Sequence, residues 1–179
     1  GILTRSGTNY LNKIILCDTD CEEPTSHIRE NWFLHHSNLL FQYSKKLLDI
    51  YSNPNWGGEN FSKEELLEGI GKSQIEFLRS QLSTPDKRLV TKTPSVKNIK
   101  KLERLFPNVK NIIIVRNPLD VAASAFNSWK RPVDKTIINW NHALIDIFEF
   151  EKTLNKNYIL IRYEDLVNDL SQTFTPCID

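Results

Sequence analysis

The sequence carries almost no net charge, since 23 lysines and arginines face 22 aspartates and glutamates among its 179 residues. A formal charge of +1 creates no protein-wide basic field, so no nucleic-acid partner is expected. Long apolar runs are also missing, and none approaches the roughly 20 residues that cross a bilayer. Repeats are absent, and the length suits one domain, which we place over residues 1–179.

Cysteine is scarce as well, with only Cys17, Cys21 and Cys177. An odd number at this spacing fits no disulfide framework, and no C-x-x-C pair is present for zinc or redox chemistry. Reduced thiols are typical of the cytoplasm, where we expect the protein to reside unless a leader precedes Gly1. Histidine, aspartate and glutamate form no cluster with metal-ligand spacing in the sequence, so no metal is expected.

Strand-like and helix-like segments alternate in the second half of the chain. The predicted strands cover residues 88–92, 111–115 and 158–162, and the second is a β-branched run typical of a strand buried on both faces. The predicted helices cover residues 95–106, 118–129 and 136–154. This alternation predicts an α/β fold with three layers, α/β/α, in which a parallel sheet is covered by helices on both faces. Ligands of such a sheet bind at the carboxyl ends of the strands.

The first half is predicted to begin with a strand stub over residues 1–4 and a helix over residues 10–16. Apolar residues at helical spacing predict a second helix over residues 27–51. A capping box of Ser62 and Glu65 begins a third helix that runs towards Gln81. Because the stub is short for a central strand, we expect further residues upstream of it.

The loop between the strand stub and the first helix has the composition of an anion site. A helix N-terminus offers free N–H groups and the positive end of the helix dipole. Gly7 lets the backbone approach a phosphate, and Arg5 adds a fork of donors. The loop is not that of a nucleoside triphosphatase, because no lysine follows Gly7. Taken alone, an ordinary polar turn remains the alternative interpretation.

The segment over residues 111–124 is the strongest indication of a binding site in the sequence. A buried strand delivers Arg116 to the sheet edge, and the following helix carries Ser124 on its second turn. An arginine and a hydroxyl so placed are suited to hold one phosphate from two sides. The alternative is that Arg116 only pairs with Asp120 on the surface.

Together these motifs resemble those of the PAPS-dependent sulfotransferases, where PAPS is 3′-phosphoadenosine-5′-phosphosulfate. Residues 5–8 (Arg-Ser-Gly-Thr) look like the family's 5′-phosphosulfate loop, and residues 115–124 look like its 3′-phosphate motif. Residues 162–166 (Arg-Tyr-Glu-Asp-Leu) and 92–94 (Lys-Thr-Pro) resemble two further segments, in the family's order. The family's C-terminal nucleotide-binding segment has no match, so we expect a truncated core.

The resemblance implies a P-loop NTPase-like sulfotransferase fold, PAPS as donor, the desulfonated nucleotide PAP as product, and no metal. It also implies a set of donor-binding residues at the loop, at the 3′-phosphate motif and after the last strand. These are Arg5, Ser6, Gly7, Thr8, Asn9, Tyr10, Arg116, Ser124 and Tyr163.

Sulfuryl transfer resembles phosphoryl transfer, in which a nucleophile attacks in line while charge builds on the leaving group. Arg5 and Lys92 are the candidate cations for that charge. The hydroxyl or amine of an unidentified acceptor also needs a base. His27 is the first candidate because of its pKa range, and Glu30, one helical turn further on the same predicted face, is the second.

Two alternatives stay open. A P-loop kinase shares the predicted sheet layout, although the missing lysine after Gly7 opposes it. A non-catalytic module of the same fold would bind the nucleotide without turnover.

Overall fold

The computed structural model describes residues 1–25, 28, 30–52, 62–152 and 158–173. His27, the first candidate base, lies outside these residues. The strands are β1 (Cys21–Glu22), β2 (Arg88–Leu89), β3 (Asn111–Val115) and β4 (Tyr158–Arg162). The α-helices are α1 (Thr8–Ile15), α2 (Asn38–Tyr51), α3 (Lys63–Arg79), α4 (Leu102–Leu105), α5 (Pro118–Trp129), α6 (Val133–Glu151) and α7 (Tyr163–Asn168). The protein is therefore a mixed α/β structure.

The strands pair in parallel, as the sequence predicts. β3 pairs with β4 along its whole length, and β1 pairs with β2 over two residues. The N-terminal segment joins β3 to the segment that follows β2, because the Gly1 amine donates to the Thr93 carbonyl at 2.7 Å and the Ile2 N–H donates to the Ile114 carbonyl at 3.1 Å. This places the loop after Thr4 beside the carboxyl end of β3.

Neighbouring residues of β3 enter different hydrophobic clusters, because side chains alternate across a strand. Ile113 packs with Leu67 of α3, Leu105 of α4 and Ile147 of α6. Ile114 packs with Leu11 of α1, and with Ile161 and Leu166. Each fully buried aliphatic side chain contributes about 1.5–3 kcal/mol. The clusters hold α1, α6 and β4 close to β3.

Two helix boundaries match the sequence prediction because their caps are local. The Ser62 hydroxyl accepts from the Glu65 N–H and the Glu65 carboxylate accepts from the Ser62 N–H, which completes the capping box of α3. α5 begins at Pro118, with the Asn117 side chain accepting from the Leu119 N–H. Proline at the first helical position forfeits no intrahelical hydrogen bond.

Three predicted elements were too long. Helix α2 begins at Asn38 rather than at residue 27, since the Asn31 side chain accepts from the Phe33 N–H and ties residues 31–33 into a turn. The helix over 95–106 is reduced to a 3₁₀ turn and α4, because Asn98 is left-handed at φ 65°. The strand over 88–92 is regular only at Arg88–Leu89.

Candidate active site

The loop after Thr4 presents the N-terminus of α1 without a competing side chain. Gly7 caps the helix at φ 98°, and its carbonyl accepts from the N–H groups of Tyr10 and Leu11. The N–H groups of Thr8 and Asn9 have no partner among the described residues. No acidic residue lies in the first turn of α1. Such an end attracts anions through its free donors and its dipole.

Gly7 is required here for space as well as for conformation. A β-carbon at this position would overlap the Tyr163 ring. Its φ of 98° is in the region that favours glycine. Ser6 beside it is fully buried, with its hydroxyl 3.4 Å from that of Thr8. Because Gly7 has no side chain, the ring of Tyr163, the residue after β4, can pack directly against the loop.

The two predicted phosphate motifs are in direct contact. The Arg5 Nε donates to the Ser124 hydroxyl at 2.8 Å, across 119 positions of the sequence. One Arg116 nitrogen donates to the Arg5 carbonyl at 3.4 Å. Arg5 itself has a positive φ of 74°, which turns the loop back towards α5. The fold thus gathers Arg5, Arg116 and Ser124 at one edge of the strands.

Arg116 is only partly committed to Asp120. Their charged atoms lie 3.8 Å apart, and the Arg116 side chain is 24% exposed. The guanidinium also stacks on the Tyr163 ring, 4.6 Å from its centroid. Its Nε is buried without a hydrogen-bond partner among the described residues. A buried donor of this kind costs free energy unless a ligand satisfies it.

The turn that aims Arg116 is held from two sides. The Trp140 indole N–H of α6 donates to the Arg116 carbonyl at 3.0 Å. The Asn117 N–H donates to the Glu164 carboxylate at 2.8 Å. Both contacts come from elements that follow α5 in the chain, so they fix the turn only in the folded protein.

Lys92 contacts the beginning of α1, next to the same loop. Its ammonium donates to the Asn9 side-chain oxygen at 2.6 Å and lies 3.8 Å from the Glu30 carboxylate. The side chain of Lys92 is 13% exposed and that of Glu30 is 39% exposed. Glu30 lies in a bend before Asn31 and not on a helix. The prediction that it lies one helical turn after His27 on the same helix face is therefore wrong.

Three histidines lie in the described residues, and one of them contacts a segment next to Lys92. His35 Nδ1 and the Ser95 hydroxyl share a hydrogen bond at 2.6 Å. Burial, together with the charges of Lys97 and His36, lowers the pKa of His35 below its ordinary value. His35 is therefore neutral at pH 7.

Comparison with known proteins agrees with this gathering of motifs. The model of the sulfotransferase family matches residues 3–177, nearly the whole chain. The chain belongs to the sulfotransferase family. Its activity is therefore sulfuryl transfer in general terms, and the family as a whole uses PAPS as donor. No curated protein and no solved structure matches the chain significantly.

Several residues beside the candidate site had no role predicted from the sequence. Trp129 and Arg131 lie beside Arg5, with the Arg5 guanidinium 5.2 Å and the Arg131 guanidinium 4.6 Å from the Trp129 ring centroid. Glu164 and Trp140 hold the turn after β3. The only sequence signal for Trp129 and Arg131 is an aromatic residue next to two basic ones at the end of a predicted helix.

The part of the chain that the structure describes contains no candidate metal cluster and no candidate membrane span. No group of three or more histidine, cysteine, aspartate or glutamate side chains there is arranged to hold a metal ion. None of the helices described is long and apolar enough to span a bilayer.

Proposed function

We propose that this chain is a PAPS-dependent sulfotransferase acting on a hydroxyl or amine acceptor. The contact between its two phosphate motifs carries the proposal. Arg5 of the first motif and Ser124 of the second are hydrogen-bonded at 2.8 Å, and Arg116 lies against the backbone of Arg5. A nucleotide with phosphates at both ends of its ribose needs such a pair of adjoining anion sites.

The residues present suit the donor's anionic groups. The free first turn of α1, with Ser6, Gly7, Thr8, Asn9 and Tyr10, would hold the 5′-phosphosulfate. Arg116 and Ser124 would hold the 3′-phosphate, which would satisfy the buried Arg116 Nε. Tyr163 completes the donor site by packing against both Gly7 and Arg116.

Lys92 and Glu30 are the proposed residues of the reacting side, together with Arg5. The acceptor atom bonds to sulfur while the bond from sulfur to the phosphate oxygen breaks, and the acceptor's proton passes to a base. Lys92 and Arg5 stabilise the charge that grows on the leaving phosphate. Glu30 is the base supported by its 3.8 Å approach to Lys92, and His27 stays the other candidate.

The proposed fold includes the three α/β/α layers of the family. The separation of Ile113 and Ile114 into two clusters, with different helices in each, supports that layering.

The test is a calorimetric titration with PAP for the wild type, Arg116→Ala and Arg162→Ala. Arg162 is the matched control, because it ends β4 opposite Val115, is 68% exposed and pairs with Asp165 instead. We expect Arg116→Ala to weaken PAP binding about 10- to 100-fold, the value of one or two charged hydrogen bonds, and Arg162→Ala to leave it unchanged.

Each alternative has its own outcome. Tighter binding of magnesium–ATP than of PAP by the wild type would identify a kinase. PAP binding without PAP release from PAPS, in the presence of simple alcohols, phenols and amines, would identify a binding module. PAP release that depends on one acceptor class would support the proposal and name that class.

A further inference from the structure

Two guanidinium groups share one indole ring beside the 3′-phosphate motif. Trp129, the last residue of α5, is 47% exposed. The Arg5 guanidinium, from the loop before α1, lies 5.2 Å from the ring centroid. The Arg131 guanidinium, from the segment between α5 and α6, lies 4.6 Å from it. Stacking on an aromatic ring orients an arginine without using its hydrogen-bond donors.

Both arginines donate to hydroxyl groups. Arg5 donates to the hydroxyl of Ser124, and Arg131 donates to the hydroxyl of Thr4 at 3.0 Å. No carboxylate of the described residues forms an ion pair with either of them. Each guanidinium carries five N–H donors, so most remain available. Two like charges on one ring repel each other, and an anion bound near them would offset that cost.

From this geometry, and resting on the proposed function, we infer that Arg131 is a further donor-binding residue that acts on the 3′-phosphate. The cluster adjoins Ser124 through Arg5, which places it next to the 3′-phosphate motif. A phosphate monoester carries between one and two negative charges at pH 7 and three acceptor oxygens. Arg116 and Arg131 together match that charge, and Trp129 aligns the second guanidinium.

Arg131 would therefore determine specificity for nucleotides phosphorylated at the 3′ position. The test compares PAP with adenosine 5′-monophosphate, which lacks that phosphate, by calorimetry at one salt concentration. Arg131→Gln should lower PAP affinity about 10- to 100-fold and leave the monophosphate unchanged. Arg131→Lys, which keeps the charge but loses the fork, should lose less.

Lys130→Gln is the matched control, since it removes the same charge one position earlier. The Lys130 ammonium lies over the Phe126 ring instead, 5.3 Å from its centroid, so this variant should bind both nucleotides as the wild type does. Thermal unfolding of every variant checks the fold. Equal loss of both nucleotides in Arg131→Gln, or loss of neither, would overturn the inference while leaving the proposed function intact. A wild type that does not prefer PAP to the monophosphate would overturn both.

Discussion

The Tyr163 ring touches three of the residues that we assign to the donor site. It packs against Gly7, carries the Arg116 guanidinium at 4.6 Å, and meets Tyr10 edge-on with centroids 6.0 Å apart. The family resemblance makes Tyr163 a candidate for contact with the nucleotide. In the structure its ring contacts the loop and Arg116, so we expect Tyr163 to position the loop and the arginine relative to one another.

Substitutions at Tyr163 separate the two roles. Tyr163→Phe keeps the ring and should leave PAP affinity within about twofold of the wild type. Tyr163→Ala should lower it about 2- to 30-fold, because the cation–π contact with Arg116 is lost. Calorimetry with PAP measures both. If Phe proved as harmful as Ala, the hydroxyl and not the ring would be the functional part.

At the scale of elements, the sequence predicted the helices and strands whose limits are set by neighbouring residues. Helix α5 runs from Pro118 to Trp129 as predicted. Strands β3 and β4 likewise cover the five residues that the sequence predicted for each. The helix over 95–106 failed because Asn98 turns left-handed and donates to the carbonyls of Leu34 and His35, more than 60 positions away. Local periodicity carries no information on such partners.

The same distinction applies to the candidate site. Arg5, Arg116 and Ser124 belong to motifs with fixed spacing, so the sequence could name them before their contact was known. Arg131 has no motif, and it joins the site only because α5 ends beside Thr4.

Two glycines of α3 test how tightly that helix packs. A β-carbon on Gly71 would overlap the Leu105 carbonyl of α4, whereas one on Gly69 would meet nothing within 4 Å. Gly71→Ala should therefore destabilise the protein by about 1–3 kcal/mol through overpacking. Gly69→Ala should stabilise it by about 0.5–1 kcal/mol through helix propensity. Urea unfolding of both variants measures the difference, and equal effects would show that α3 and α4 are not in close contact.

At the scale of the whole molecule, groups whose pKa values are lowered in the folded protein make stability depend on pH. The Glu22 carboxylate accepts from the N–H groups of Ser83 and Thr84, and the first of these bonds is the largest cause of its lowered pKa. Burial lowers the pKa of His35 below its ordinary 6.5. In both cases the unfolded chain binds the proton more readily than the folded protein, so acid favours unfolding.

The melting temperature should consequently fall in two steps as the pH decreases. The His35 contribution is complete above pH 6.5 and is lost below it, as the pH falls through the lowered pKa. The Glu22 contribution is complete above its ordinary 4.5 and is lost at lower pH, in a window shared with Glu65 and Asp169, whose pKa values are also lowered. His35→Asn should reduce the upper step, which the buried Gly1 amine shares because burial lowers its pKa from 8.0 to about 5, and Glu22→Gln should reduce the lower one. Melting curves by circular dichroism between pH 3 and 8 measure both steps, and an upper step of unchanged size in His35→Asn would contradict the His35 contribution.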